Sequence, residues 1–203
     1  ASALNLERII QMKPDLVIAW LSGGSFQSVE LLIGLGLKVY VNEISTPRDI
    51  ASSAEKLGVL VGQKKRGLEL SYKFSEKIIG IQESRIEIRA PSVFFQLGEQ
   101  DLFTFSGQHF LGRALEICGA KNVFSNASMP VPQVSFESVL KKNPDLIIFS
   151  GKSSDTLSTS RNKWQEIGWS HKLRFVDASE LFLPSLRFVT GLKKLCSAIH
   201  EPS

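Results

Sequence analysis

Leu6-Glu7-Arg8-Ile9-Ile10-Gln11-Met12-Lys13-Pro14-Asp15-Leu16-Val17-Ile18-Ala19-Trp20 has an echo in the same chain. The second copy is Phe136-Glu137-Ser138-Val139-Leu140-Lys141-Lys142-Asn143-Pro144-Asp145-Leu146-Ile147-Ile148-Phe149-Ser150, offset by 130 residues with no gap. Each copy opens with apolar residues at helical spacing: Leu6, Ile9 and Ile10, then Phe136, Val139 and Leu140. Each helix must stop ahead of a Pro-Asp turn, because proline disfavours α geometry in the residue before it. An unbroken apolar run follows in each, as expected of a strand buried on both faces of a parallel sheet. A small polar loop comes next, Ser22-Gly23-Gly24-Ser25 in one copy and Ser150-Gly151-Lys152-Ser153-Ser154 in the other. A period this long excludes a solenoid and points to two similar α/β lobes.

Further helices and strands alternate around each copy. The pattern predicts helices over Ser28–Leu35, Asp49–Leu57, Gln63–Glu83, Gln108–Cys118 and Leu186–Ile199, and strands over Lys38–Val41, Ser92–Leu97 and Leu173–Val176. Such alternation implies parallel sheets, whose ligands sit beyond the carboxyl ends of the strands. The echoed loops occupy that position, so a cleft between the lobes is the expected binding place.

The chain has 203 residues, enough for one large domain or two smaller lobes with a real core. Its apolar runs are far too short to cross a membrane. The start, Ala1-Ser2-Ala3-Leu4-Asn5, carries no basic stretch typical of a signal peptide, as a mature exported chain also would not. The net charge is +4, but the basic residues are dispersed and no aromatic residues interleave with them, which argues against nucleic-acid binding.

Catalytic signatures are missing. No G-x-S-x-G elbow, phosphate-binding Walker loop or H-E-x-x-H pattern occurs. Gly34-Leu35-Gly36 reads as a helix C-cap. An α/β hydrolase using Ser22 or Ser25 would need a histidine beside the serine, and His109, His171 and His200 lie far from both in sequence. Cys118 and Cys196 lack metal-site spacing and read either as buried small side chains or as one long-range disulfide. Trp20, ahead of Ser22-Gly23-Gly24, reads either as a core anchor or as a flat wall of the cleft. Trp164 and Trp169 read as packing residues. Glu7 and Glu137 share one position in the two copies, suited to a helix N-terminal dipole or to a pair of acids docking on a symmetric basic partner.

The first copy, together with Phe95-Gln96-Leu97-Gly98, Leu115-Glu116-Ile117-Cys118-Gly119-Ala120-Lys121-Asn122-Val123-Phe124, Pro130-Val131-Pro132-Gln133-Val134-Ser135-Phe136-Glu137 and Leu195-Cys196-Ser197-Ala198, carries a resemblance over nearly the whole chain. It resembles the vitamin B12-binding members of the class III, helical-backbone family of periplasmic substrate-binding proteins of ABC importers. That family also includes siderophore- and haem-binding proteins. The resemblance implies an α/β fold with two mostly parallel-sheet lobes joined by one long helix: an N-terminal lobe over 1–62, an inter-lobe helix over 63–84 and a C-terminal lobe over 85–203. It further implies an N-terminal segment ahead of this sequence, hence a shortened first lobe with an exposed strand edge.

By the same resemblance the protein is a monomeric, non-enzymatic periplasmic binding protein. It would capture cobalamin or a related corrinoid as cargo rather than cofactor and hand it to a permease dimer through Glu7 and Glu137. Trp20, Ser22, Gly23, Gly24 and Ser25 would contact the ligand, with Leu97, Val131 and Phe182 as further walls. Leu97 and Val131 replace aromatic residues of the family pattern, and Glu180-Leu181-Phe182-Leu183-Pro184 replaces a stretch with a basic residue, so the pocket is less aromatic. An iron siderophore or haem is the alternative cargo. Cys118 and Cys196 match the family's disulfide, whose loop closure would contribute about 3–5 kcal/mol.

Overall fold

In the computed structural model the described residues are 5–20, 26–85, 90–98, 101–150, 158–177 and 179–200. The chain divides into two compact units, Ala1–Ile44 and Ser45–Ser203. The first contains α1 (Leu6–Gln11), β1 (Val17–Ala19), α2 (Phe26–Gly34) and β2 (Val39–Val41). The second contains α3 (Pro47–Leu60), α4 (Lys64–Glu83), β3 (Ser92–Gln96), α5 (Phe110–Ile117), β4 (Lys121–Asn122), α6 (Phe136–Lys142), β5 (Leu146–Ser150), α7 (Ser158–Glu166), β6 (Leu173–Val176) and α8 (Phe188–His200). The α/β class with parallel sheets is as the alternation implied.

The echo extends to backbone detail. Asn5 and Ser135 cap α1 and α6, their side chains accepting from Arg8 N and Ser138 N. Each cap satisfies one of the N–H groups that a helix start leaves free. Lys13 and Asn143, each before its proline, both adopt left-handed geometry at φ 46° and 43°. The two copies therefore turn from helix to strand by the same device.

Their strands differ in burial. β5 lies between β3 and β6 in the order β4-β3-β5-β6, all described pairs being parallel. Leu146, Ile147, Ile148 and Phe149 are accordingly buried. Among the described residues β1 pairs only with β2, Val17 opposite Val39, and Ile18 is 53% exposed. The expectation of burial on both faces thus fails for β1: with one described neighbour, half its surroundings are open.

One face of the larger sheet presents Phe94, Ile147 and Phe149 to Val139 and Trp164. Strand alternation turns Val93, Phe95 and Ile148 to the opposite face. Trp164 stacks between Phe136 and Trp169, at 4.5 and 5.6 Å between ring centroids, which is the packing role expected of both tryptophans. Burying each large side chain contributes about 1.5–3 kcal/mol, so this cluster anchors the unit. α5 and α8 add the buried Leu111, Leu115, Leu192 and Leu195. A disulfide joins Cys118, the C-cap of α5, to Cys196 in α8, 78 positions apart. Of the two readings of the cysteines, the bridge is the one found.

α3 begins at a designed-looking stop. The Asp49 carboxylate accepts from Thr46 N at 2.7 Å, Thr46 Oγ1 at 3.0 Å and Ser45 N at 3.0 Å, and Pro47 fills the first helical position. α3 then packs closely on α4. A Cβ on Gly58 would lie 2.7 Å from Gly67 Cα, and one on Gly67 would lie 2.7 Å from Ala54 O, so only glycines permit the approach. Compact grouping therefore places α3 with α4, in the second unit, where the sequence-based division had put residues 47–60 in the first lobe. α7 and the two-residue β4 had no sequence expectation. The polar Ser-Thr-Ser-Arg-Asn start of α7 shows little apolar periodicity.

Candidate functional site

Three of the expected wall residues, Leu97, Val131 and Phe182, belong to the second unit. β3 runs out at Gln96, and Leu97 forms an antiparallel bridge with Phe103 through Leu97 N to Phe103 O (2.8 Å) and Phe103 N to Leu97 O (3.1 Å). Phe103 bridges in turn to Gln133. Thr104 N donates to Pro132 O at 3.1 Å and Ser106 N to Pro130 O at 3.0 Å. Val131 is thus held between two anchored prolines with its own side chain partly open. Phe182 follows β6 and packs edge-on against Phe95, with centroids 6.4 Å apart, and 6.1 Å from Phe105. Leu97 directly follows β3 and Phe182 follows β6, at the carboxyl ends of parallel strands where such sheets take ligands, and Val131 lies on the segment paired with residues 104–106.

Two devices hold this rim. Trp164 Nε1 donates to Gln96 Oε1 at 2.8 Å, and Gln96 Nε2 donates to Gly98 O at 3.1 Å. Gln96 is buried, so this satisfied chain fixes the turn after Leu97. Phe182 is steadied from behind. Leu181 is fully buried against α8, where a Cβ on Gly191 would collide with Leu181 N and lie 2.8 Å from its Cα. Lys194 of α8 pairs with Glu180 at 3.1 Å and Asp177 at 3.4 Å, across the turn that leads to Phe182. Glu180 is therefore an ion-pair partner within the unit. Ser179 and the Lys194 ammonium hold the Asp177 carboxyl below its ordinary range, and the two carboxylates raise Lys194.

Sequence reasoning missed Phe105, His109 and the role of Gln96. His109 stacks on Phe105 at 4.6 Å and caps α5, its Nδ1 accepting from Leu111 N at 3.2 Å. Burial lowers its pKa, so the neutral ring keeps its proton on Nε2. The available signal was the alternation Phe103-Thr104-Phe105, which marks a short strand-like segment. This rim is an apolar and aromatic ledge with one neutral imidazole. It offers surface for binding. Among the described residues no group of three potential metal ligands occurs.

In the first unit Trp20 directly follows β1 and is 60% exposed. Ser22, Gly23, Gly24 and Ser25 lie outside the described residues. Glu7 and Glu137 are exposed acids in the first turns of α1 and α6. The Gly34-Leu35-Gly36 stretch does end a helix, with Gly36 at φ 80°.

Comparison with known proteins gives a consistent result. Residues 2–166 match the family model described as periplasmic binding protein. A vitamin B12-binding protein of Photorhabdus laumondii is 32% identical over 161 residues, covering 79% of this chain and 58% of that relative. The chain thus spans little more than half the length of this relative. Among solved structures, the periplasmic vitamin B12 binding protein BtuF of Vibrio cholerae superposes with a TM-score of 0.85 at 26% identity, covering 97% of this chain and 78% of the other. A possible iron-binding, periplasmic solute-binding protein of Staphylococcus epidermidis gives 0.80 at 26% identity, covering 98% and 81%. The matched family and these relatives are named as binding proteins.

Proposed function

The chain belongs to the periplasmic binding protein family, and from that premise we propose that it captures cobalamin or a related corrinoid in the periplasm for an inner-membrane ABC importer. The similarity to BtuF over 97% of the chain is the observation that carries the reading. In this reading the ligand contacts are Leu97, Val131 and Phe182 of the second unit and Trp20, Ser22, Gly23, Gly24 and Ser25 of the first. Glu7 and Glu137, equivalent positions on two copies of one motif, dock on paired cations of a permease dimer.

Calorimetric titration with cyanocobalamin tests the cargo. Binding is expected, and no heat at high micromolar ligand removes the corrinoid reading. Trp20→Ala should weaken binding roughly thirtyfold, since covering about half of a tryptophan's area is worth about 2 kcal/mol. For docking, Glu7→Ala with Glu137→Ala should abolish transporter-dependent uptake while leaving ligand affinity intact. Unchanged uptake refutes the assignment.

A ferric chelate is the second reading. It is favoured by the iron-binding description of the Staphylococcus epidermidis relative and by aliphatic Leu97 and Val131 on the rim. Corrinoids and ferric chelates differ in absorbance, so a spectroscopic ligand screen separates the two.

A further inference from the structure

A cavity of about 240 Å³ opens beside strand β6, lined by α7, the 3₁₀ turn Ser170–Lys172 and the sheet edge. Among the described residues β6 pairs only with β5, so its other side is an edge. Phe149 and Phe175 are register partners across β5 and β6, and their rings, with Leu173, form the apolar lining. Arg161 and Arg174 also line it, together with Gln165 and Ser170.

Two arginines on the lining of one small cavity, with no acidic residue beside them, make it a favourable place for an anion. Among the described residues neither arginine forms an ion pair. Arg174 Nη1 donates to His171 O at 3.0 Å and Leu173 O at 2.9 Å, which fixes the plane of the group. Its Nε is buried with no acceptor among the described residues. Buried donors of this kind call for an explanation. The surrounding stretch from Arg161 to Val176 also holds Lys163 and Lys172 against Glu166 alone among acids. Lys172 is already engaged by Asn143 Oδ1 at 2.7 Å, Pro144 O at 2.9 Å and the Trp169 ring. The cavity lining thus carries two cationic residues and no acid, with Gln165 and Ser170 as its other polar members.

We propose that this cavity binds a carboxylate carried on a small apolar or aromatic body, with Arg161 and Arg174 on the carboxylate and Phe149, Leu173 and Phe175 around the body. A planar carboxylate matches the fork of a guanidinium. A bare phosphate would leave the three apolar walls wet. The volume is below the roughly 300–1,000 Å³ of drug-sized sites, which limits the ligand to one ring or a short branched chain. The carboxylate comes either from a free acid or from the C-terminus of a peptide ending in an apolar residue. The site is independent of the proposed corrinoid cargo.

The test is ¹⁹F NMR of 4-fluorobenzoate titrated with the protein. Saturable broadening is expected, with 4-fluorobenzamide, which lacks the charge, giving none. Arg161→Met and Arg174→Met should each weaken binding about tenfold, with Arg174→Lys between wild type and Arg174→Met. Cyanocobalamin titration of the same variants should be unchanged, which separates failure here from failure of the cargo assignment. Arg161 is exposed, so its variant stays informative if Arg174→Met lowers stability. Displacement by the peptide Gly-Gly-Phe as free acid, but not as its C-terminal amide, assigns a peptide source. Absence of displacement assigns a free acid. No broadening at about 10 mM, a range weaker than specific sites use, overturns the proposal, as does equal binding of the benzamide or indifference to both substitutions.

Discussion

Removing the Cys118–Cys196 bridge should expose how the larger unit is held together. The bond ties the end of α5 to α8 across 78 positions, and both sulfurs are buried. In the chain-entropy model a closed loop of that length removes about 15 cal/mol/K from the unfolded chain, or about 4–5 kcal/mol at 25 °C. Cys118→Ala with Cys196→Ala should therefore lower the urea midpoint by roughly 2 M at a slope of about 2 kcal/mol/M. The thermal midpoint should fall by about 10–15 °C. Trp164, 1% exposed in the core, provides the fluorescence signal. Wild type in reductant should follow the double variant. A loss under about 1 kcal/mol would refute the argument, because it would mean that the unfolded chain gains little freedom when the bridge is opened.

Other perturbations address single contacts. Asp49→Ala removes three accepted hydrogen bonds at the start of α3 and should cost about 1–2 kcal/mol in chemical denaturation. Gln96→Leu leaves the buried Trp164 N–H without its acceptor and should cost about 1–3 kcal/mol, with Gln96→Leu/Trp164→Phe costing less than the two singles combined. His109 has its pKa lowered by burial, so the unfolded state binds the proton more readily and stability falls as pH drops through the usual histidine range. His109→Asn keeps an N-cap and should flatten that slope between neutral and mildly acid pH. Asp177 is likewise held low, so its contribution is present above the ordinary aspartate range and lost as pH falls through the folded value; Asp177→Asn should make the acid limb shallower.

Much of the architecture was legible because two physical signals reinforced each other. The echoed helix, proline turn and apolar run located α1, β1, α6 and β5, and glycines marked helix ends at Gly36 and Gly119. β6 falls on the expected residues, while α3 runs from Pro47 to Leu60, longer than expected, because its capping box lies ahead of its apolar periodicity. The close fit of Gly58 on Gly67 was not legible, since two glycines inside helical patterns carry no periodic signal. The rim was readable only in part. Leu97, Val131 and Phe182 were named through family resemblance, but the Gln96–Trp164 tie and the stack of His109 on Phe105 depend on residues 68 and 4 positions apart that only folding brings together. The exposure of Ile18 depends on how many neighbours β1 has, which its own apolar run does not encode.

The Pro130-Val131-Pro132 segment separates the fastening of the chain from the chemistry of one side chain. Neither proline can donate a backbone hydrogen bond, and each instead offers its carbonyl to the chain segment opposite. The main chain is thus pinned on both sides of residue 131, while the side chain there carries none of the fastening. Substitutions at this one codon can therefore reshape the rim of the larger unit at little risk to its scaffold.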